Sequence, residues 1–479
     1  MQRIFFSNLV LMIFLNLLIK PLALFGIDAT VQNRVGAAEY GLYFSLLNFS
    51  VILNMLLDLG INNYTIKSIA QNPEEAKTYF GKIISFRILL FGFYILFALV
   101  FALFVGYNSH QLYLLGLLGI NQFLIMTTAY CRSHFSGFHF FKYDALMSVL
   151  DRTLLIIFGG AILFIPQLGL IISIELFIWV QMLCYGITLV VALFLLLRHL
   201  EKPFFRWNLS FSFSIVKQSI PYALLVVLML LYTRIDGVML ERIHPNGAYE
   251  SGIYAQGFRL LDALFMFGMI FVSLLFPMFS KQLKESKESI IDLLSNAGNL
   301  LMGGSILIVF VAITNGYYLL DLIYLHAYEA VPVFQWLMLS FLSICLNFIF
   351  GTLLTANGNL RFLNISSLIG IIINVIINYF LIPHYGAQGA AFTAFITQSF
   401  ISILQFFYCI NLFQIKINWS LVLRYIILII SLILIRYLFK TNDYVLLIQI
   451  ISGTLLLFLL SFIQINNLKS LLIKNDSFK

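Results

Sequence analysis

The chain has 479 residues, of which 61% are hydrophobic and 10% are charged, and its formal net charge is +8. This composition excludes a soluble globular protein, because a water-soluble fold could not hide so much apolar surface. It also argues against nucleic-acid binding, since no polar loop is large enough to form a solvated basic domain.

Long apolar stretches without alternation predict membrane-spanning helices rather than barrel strands, because about 20 apolar residues cross the hydrocarbon layer as a helix. We therefore predict an all-α integral membrane protein of about 14 transmembrane helices. The predicted spans, in chain order, are 5–29, 37–63, 80–105, 111–131, 143–165, 169–197, 212–241, 250–279, 290–314, 329–356, 362–382, 387–412, 419–438 and 443–465.

Two short patterns occur twice in the chain. Ala38-Glu39-Tyr40-Gly41-Leu42-Tyr43 recurs 211 positions later as Tyr249-Glu250-Ser251-Gly252-Ile253-Tyr254. Ile165-Pro166-x-x-Gly169 recurs 217 positions later as Ile382-Pro383-x-x-Gly386. The similar offsets predict two homologous lobes related by an axis along the membrane normal.

The predicted domain boundaries follow from this duplication. We predict an N-lobe of helices one to six at 1–200 and a C-lobe of helices seven to twelve at 212–412. Helices thirteen and fourteen, with a cytoplasmic tail, occupy 413–479. Duplicated membrane chains usually bind substrate between their halves and rock one half against the other, so transport is the leading hypothesis.

The loops predict the orientation, because cationic loops stay on the cytoplasmic side. Seventeen Lys and Arg residues fall in loops and tails on one side, whereas the opposite loops hold only Arg34, Arg242 and Lys440. We therefore predict that both termini are cytoplasmic.

Several features argue against an enzyme. The sequence contains no Walker loop, no G-x-S-x-G and no HExxH pattern. The four cysteines are widely separated, so neither a disulfide framework nor a metal site is expected. We predict no catalytic residues, no metal and no cofactor.

Five cations inside the predicted spans are candidate substrate-binding residues, because a charge at bilayer depth is costly unless it faces water or a partner. Basic residues in a shared cavity would attract a phosphate or pyrophosphate. The alternative is pairing with intramembrane acids such as Asp151 and Asp262. The candidates for this cationic cavity are Lys20, Arg87, Arg152, Arg234 and Arg259.

Other intramembrane polar residues leave two alternatives open. Small and polar residues on predicted helices ten and eleven, such as Ser343 and Gly351, are typical of close helix packing, but they could also bind sugar hydroxyls. Asp28 and Asp236 are candidate residues for ion coupling, as a cation-coupled antiporter would require.

Three ordered segments carry family-specific patterns. They are Arg34-x-Gly36-x-x-Glu39-Tyr40-Gly41-Leu42-Tyr43, Asp58-Leu59-Gly60-Ile61, and Asn374-x-x-x-Asn378 followed by Pro383-x-x-Gly386-x-x-Gly389. Together they resemble the Wzx-type polysaccharide-biosynthesis flippases of the multidrug/oligosaccharidyl-lipid/polysaccharide (MOP) exporter superfamily. The resemblance covers helices one to twelve.

The resemblance implies two six-helix lobes around a central cationic cavity in the bacterial inner membrane. It implies transfer of undecaprenyl-pyrophosphate-linked oligosaccharide to the periplasmic leaflet, for O-antigen, capsule or exopolysaccharide. Membrane lipid is a further partner, and a polysaccharide polymerase and glycosyltransferases are candidate partners. A multidrug antiporter resembling MATE transporters is the nearest alternative. A lipid-linked sugar polymerase or ligase is disfavoured by the short outer loops and the duplication.

Overall fold

The structure is a computed structural model that describes residues 2–462 except 166, 168, 170, 201–208, 285–286, 326, 417 and 441–443. This described part is built from α-helices and short 3-10 or π turns, without strands. The helices are α1 (Gln2–Pro21), α2 (Ala29–Val35), α3 (Ala37–Leu53), α4 (Ile61–Gln71), α5 (Ala76–Val105), α6 (Ser109–Gly137), α7 (Phe141–Met147), α8 (Leu150–Phe164), α9 (Ile174–Leu197), α10 (Leu209–Ile243), α11 (Gly247–Gln282), α12 (Lys287–Thr314), α13 (Gly316–Asp321), α14 (Ala327–Ala356), α15 (Leu360–Phe413), α16 (Trp419–Leu438) and α17 (Val445–Leu459).

The helical stretches account for the predicted spans. Within the described residues, 12 stretches are long and apolar enough to cross a membrane, and Val445–Leu459 is a shorter apolar helix. The longest stretch, α15, is interrupted at Gly386, whose backbone has φ 50° and ψ −131°. Divided at this position, α15 supplies two of the predicted spans. The all-α membrane fold is therefore confirmed.

Polar caps define where several helices begin. Asn108 and Gln111 form a capping box at α6, in which each side chain accepts a hydrogen bond from the other residue's backbone N–H. The side chains of Ser173 and Asn418 accept hydrogen bonds from Leu176 and Leu421 in the same way. These bonds satisfy N–H groups that have no partner within the helix.

Three predicted spans contain local breaks that hydropathy does not reveal. The first span changes from α1 to a π turn, Leu22–Asp28, directly after Pro21. The second span ends its α-helix at Leu53 and restarts at Ile61, with Leu59 and Gly60 at positive φ. The fifth span is divided between α7 and α8. Each break interrupts the regular helix inside a predicted span, and polar residues such as Asp28 and Asp58 lie at these interruptions.

The chain forms two compact units. The first comprises Met1–Ala255, Ile323–Leu325 and Asn378–Ala390. Its apolar core includes the buried rings of Phe80, Tyr130 and Phe135. The predicted lobe boundaries differ from this division and stay a prediction.

The second unit comprises Gln256–Leu322, His326–Ile377 and Ala391–Lys479. Its described part contains a small core in which Leu307 of α12 packs with Leu428 and Leu432 of α16 and with Leu457 of α17. The two last helices are thereby joined to α12.

Candidate functional site

Three cationic side chains of the first compact unit form what we call the cationic cluster: Lys20, Arg132 and Arg152. Lys20 lies in the last turn of α1, Arg132 lies in the last third of α6, and Arg152 is the third residue of α8. Lys20 is close enough to both arginines for their charges to act on it. Asn16 of α1 also contacts Ser148, between α7 and α8, because Asn16 Nδ2 donates to Ser148 Oγ at 2.9 Å.

Two carboxylates partly neutralise the cationic cluster. Arg132 Nε lies 2.6 Å from Asp144 Oδ1, and Arg152 Nε lies 3.4 Å from Asp151 Oδ2. Among the described residues, no carboxylate lies within 4.0 Å of the Lys20 ammonium group. The three cations and their two directly paired carboxylates therefore carry a net charge of +1, and the Asp28 carboxylate also acts on Arg152.

The arginines of the cluster remain accessible despite their ion pairs. The side chain of Arg152 is 36% exposed and that of Arg132 is 31% exposed. Arg152 lies near the middle of the span Phe141–Phe164, where an accessible charge needs water or an anion beside it. An Arg guanidinium can donate two parallel hydrogen bonds to a phosphate, and Lys adds a compact point charge. The arrangement suits a phosphate-bearing ligand.

Arg132 was not among the predicted site residues. Hydropathy ended the fourth span at 131, which assigned Arg132 to a cytoplasmic loop. The helix α6 continues to Gly137 and carries the residue inside the helical bundle. The i, i+4 pattern from Thr128 through Arg132 to Ser136 is the sequence signal that could have extended the helix.

Arg87 is enclosed in a different environment. Its side chain is 2% exposed, and Nη2 donates to Asp58 Oδ1 at 2.6 Å and to Asn62 Oδ1 at 2.7 Å. Nη1 donates to the carbonyl of Met126 at 2.9 Å. These contacts hold the break between α3 and α4 and neutralise the charge. We therefore do not include Arg87 in the site proposed below, although its substrate role stays a prediction.

The remaining predicted cations are placed separately. Arg234 is half-buried on α10, in the first unit. Arg259 belongs to the second unit, where its Nη1 lies 3.9 Å from Asp262 Oδ2 and only 11% of its side chain is exposed. Both residues have further partners within the described chain. Their roles in substrate binding also stay predictions.

The two candidate coupling acids have similar surroundings. Asp28 is 7% exposed and accepts a hydrogen bond from Tyr40 Oη at 2.7 Å. Asp236 is 1% exposed and accepts hydrogen bonds from Asn378 Nδ2 at 2.7 Å and from Tyr254 Oη at 3.2 Å. Each acid thus accepts a hydrogen bond from a tyrosine of one repeated segment, although Tyr40 and Tyr254 occupy different positions of the repeat.

The polar stripes of the second unit lie at helix contacts. Ser343 and Ser399 are hydrogen-bonded at 2.8 Å between α14 and α15. A Cβ placed at Gly351 would lie 2.9 Å from Gln405 Oε1, so glycine is needed for this close approach. These contacts favour the packing interpretation of the stripes.

Comparison with known proteins identifies the family. The family model described as polysaccharide biosynthesis protein matches residues 6–283, more than half of the chain. The chain belongs to this family. No curated protein matches it at a significant level.

Solved structures of low sequence identity share the fold of this family member. A structure described as lipid II flippase MurJ in an inward closed conformation has a TM-score of 0.72 and 15% identity, and the match covers 94% of this chain and 98% of that one. An inward-facing multidrug resistance MATE transporter of the MOP superfamily has a TM-score of 0.62 and 13% identity, covering 83% and 94%. A MOP superfamily transporter from Pyrococcus furiosus has a TM-score of 0.57 and 14% identity, covering 86% and 95%. The chain has the MOP fold.

The solved structures that share this fold are described as a flippase and as membrane transporters. Among the described residues, no group of three or more His, Cys, Asp and Glu side chains could hold a metal ion. The chemistry of the cationic cluster in the first unit suits an anionic ligand.

Proposed function

We propose that the chain is a flippase that moves undecaprenyl-pyrophosphate-linked oligosaccharide units from the cytoplasmic to the periplasmic leaflet. The product would supply a surface polysaccharide such as O-antigen, capsule or exopolysaccharide. The observation that carries the proposal is the cationic cluster, whose three cations lie on candidate membrane spans in a member of a polysaccharide biosynthesis family.

The chemistry of such a lipid matches the surroundings of the cluster. Its pyrophosphate carries at least two negative charges, which Lys20 and the two arginines can bind. Its polyprenyl tail gains nothing by leaving the bilayer, so only the headgroup needs a polar path. Arg132 and Arg152 keep their paired carboxylates in the absence of substrate, which lowers the cost of holding cations at this depth.

Binding of the pyrophosphate would favour the conformation in which the three cations lie together. A ligand shifts a conformational equilibrium only by the difference between its affinities for the two states. Because the cluster joins α1, α6 and α8, a doubly charged ligand would hold these three helices together. Release of the ligand then requires a state in which the cluster binds the pyrophosphate less tightly or in which water surrounds the three cations.

The test in cells is the leaflet distribution of undecaprenyl-linked oligosaccharide, measured together with surface glycan after depletion and re-expression. We expect the lipid-linked oligosaccharide to accumulate in the cytoplasmic leaflet and the glycan to disappear, with both effects reversed on re-expression. An unchanged distribution in cells without another flippase would overturn the proposal. Changed drug resistance with unchanged glycan would instead favour the antiporter alternative and direct attention to Asp28 and Asp236.

A further inference from the structure

The two carboxylates that accompany the cationic cluster are attached to the chain in different ways. Asp151 precedes Arg152 in the same helix, α8, so the backbone keeps this acid beside its cation. Asp144 lies on α7, whereas its partner Arg132 lies on α6. A movement of one helix relative to the other would therefore separate Asp144 from Arg132, but it would leave Asp151 beside Arg152.

Both oxygens of the Asp144 carboxylate bind to side chains of α6. Oδ1 lies 2.6 Å from Arg132 Nε, and Oδ2 accepts a hydrogen bond from Ser136 Oγ at 2.9 Å. Arg132 and Ser136 are four residues apart, so they lie on the same face of the helix. This face offers a cation and a hydroxyl donor to one anion, and a phosphate could bind to the same two groups.

The Arg132 guanidinium is also accessible to a second anion. Its side chain is 31% exposed, whereas only 13% of the Asp144 side chain is exposed. Two anions that share one guanidinium repel each other, so each weakens the binding of the other. A ligand phosphate consequently binds Arg132 less tightly when Asp144 is in contact with it.

The helix that carries Asp144 contacts the helices of two cations of the cluster. It has only seven residues and is linked to α6 by the contacts of Asp144. Directly after it, Ser148 Oγ accepts a hydrogen bond from Asn16 of α1, the helix that also carries Lys20. Asp144 is thus held at the cluster by a short element that lies between α1 and α6.

We propose that Asp144 is a resident anion that competes with the ligand phosphate for Arg132 and so determines how readily the ligand is released. The carboxylate compensates Arg132 when the pyrophosphate leaves, which avoids an unpaired cation within the span Ser109–Gly137. It also limits the tightness of binding, because a ligand that is held too strongly slows the later steps of transport. Asp144 is a positioning residue in this account. The inference rests on the proposed function, because a flippase must release the headgroup that it binds.

Binding of inorganic pyrophosphate to the purified protein, measured by isothermal titration calorimetry in magnesium-free buffer, tests the competition directly. Asp144→Asn keeps the shape of the side chain and an oxygen that can accept from Arg132, but it removes the negative charge. The dissociation constant of this variant should be about tenfold lower than that of the native protein, because one close repulsion is lost. Equal dissociation constants would overturn the inference.

A milder variant and a matched control accompany this measurement. Ser136→Ala removes a hydrogen bond that holds Asp144 at Arg132 but leaves all charges in place, so the dissociation constant should fall by about twofold or more. Glu175→Gln also removes one negative charge, but Glu175 is exposed in the first turn of α9 and is bonded to Tyr113. We expect native affinity for this control. An equal gain of affinity in Glu175→Gln and Asp144→Asn would show an effect of net charge alone and contradict the local role of Asp144.

Transport kinetics in liposomes distinguish this role from a structural one. Asp144→Asn should lower both the half-saturating concentration of lipid-linked oligosaccharide and the maximal rate, each by about fivefold or more, since a more tightly bound ligand is released more slowly. The ratio of maximal rate to half-saturating concentration should stay near its native value. A lower maximal rate without any gain in apparent affinity is the result of structural damage and would overturn the inference.

The two measurements separate the competition from the proposed function. If Asp144→Asn binds pyrophosphate more tightly but the native protein moves no lipid-linked oligosaccharide, the competition stands and the proposed function fails. If the native protein moves the oligosaccharide but the two proteins bind pyrophosphate equally, the function stands and the competition fails.

Discussion

At the residue scale, an arginine buried in a membrane is costly unless its charge has a partner, and Arg87 is paired with Asp58. Its guanidinium contacts a carboxylate, an amide oxygen and a backbone carbonyl, and its Cζ lies 4.7 Å from the centre of the Tyr130 ring. The Asp58-Leu59-Gly60-Ile61 pattern is thereby explained in part, because Asp58 binds Arg87 and Gly60 takes the left-handed backbone at the break.

Replacing Arg87 should therefore affect stability before it affects substrate binding. Arg87→Leu leaves the Asp58 carboxylate, whose side chain is only 14% exposed, without its cation, and breaking a largely buried ion pair in this way costs about 3–5 kcal/mol. We expect a clear fall in the thermal unfolding temperature of the purified protein in detergent. The double variant Arg87→Leu, Asp58→Leu should recover part of the loss. An unfolding temperature equal to that of the exposed control Arg198→Gln would contradict this account.

The cationic cluster leads to the opposite expectation. Lys20→Gln or Arg152→Gln removes a charge-assisted contact worth about 1.5–3 kcal/mol, which corresponds to a fall in transport of roughly tenfold to a hundredfold. The unfolding temperature should change little, because both side chains are partly exposed. Arg198→Gln is the matched control, since Arg198 is an exposed cation at the end of α9. Full transport by both variants would exclude these residues from the site.

Sequence reasoning could find the intramembrane cations but not their partners. Depth within an apolar stretch identifies Lys20, Arg87 and Arg152 as costly charges. The pairing of Arg87 with Asp58 joins residues 29 positions apart across a broken helix, and no local spacing rule reports it. Arg132 was missed because hydropathy averages cannot locate a helix end within several residues.

At the element scale, hydropathy predicts where helices lie but not where they break. The span 419–438 coincides with α16, and the gap predicted between 382 and 387 coincides with the break at Gly386. The π turn after Pro21 and the interruption at 58–60 were not predicted. Such breaks depend on side chains from other helices, which a single-helix pattern does not contain.

The break in α15 provides a stability test at this scale. Gly386→Ala combines a left-handed backbone with overlap against the Glu250 carboxylate. Gly358→Ala is the control, because Gly358 has φ +81° but no atom within 4 Å of a new Cβ. Left-handed strain alone costs about 1–3 kcal/mol, so both variants should lose stability and Gly386→Ala should lose more. Equal unfolding temperatures for the two variants would show that the Glu250 contact is absent.

The last helix is attached through a buried polar network. Gln449 of α17 is fully buried, and its Oε1 accepts a hydrogen bond from Asn315 Nδ2 at 2.7 Å. Gln449→Leu should leave the Asn315 amide without this partner and cost about 1–3 kcal/mol. Thr454→Val, on the exposed side of α17, is the control. Protease protection of α17 would fall in the first variant only; the same protection in both would contradict the role of the network.

At the scale of the whole molecule, the predicted duplication links the repeated patterns of the sequence to the proposed transport function. In the two copies of the first repeated pattern, Tyr43 is equivalent to Tyr254 and Tyr40 is equivalent to Ser251. The copies contact each other, because a Cβ on Gly41 would overlap Ala248 and a Cβ on Gly252 would overlap Ala37. In addition, Gly169 and Gly386, from the second repeated pattern, both have positive φ. Repetition in the sequence predicted two halves, but it did not predict that the repeated segments contact each other. That contact depends on the three-dimensional arrangement of segments about 200 residues apart.

The most direct test of the central claim uses purified protein in liposomes that contain undecaprenyl-pyrophosphate-linked oligosaccharide. The measured quantity is the rate at which the headgroup becomes accessible to a glycosidase on the opposite side of the membrane. We predict rapid transfer by the native protein and by the Arg198→Gln control. The double variant Lys20→Gln, Arg152→Gln should transfer the headgroup only at the rate measured without protein. Transfer by the double variant at the native rate would contradict binding at the cationic cluster, and no transfer by the native protein under any ion gradient would contradict the flippase itself.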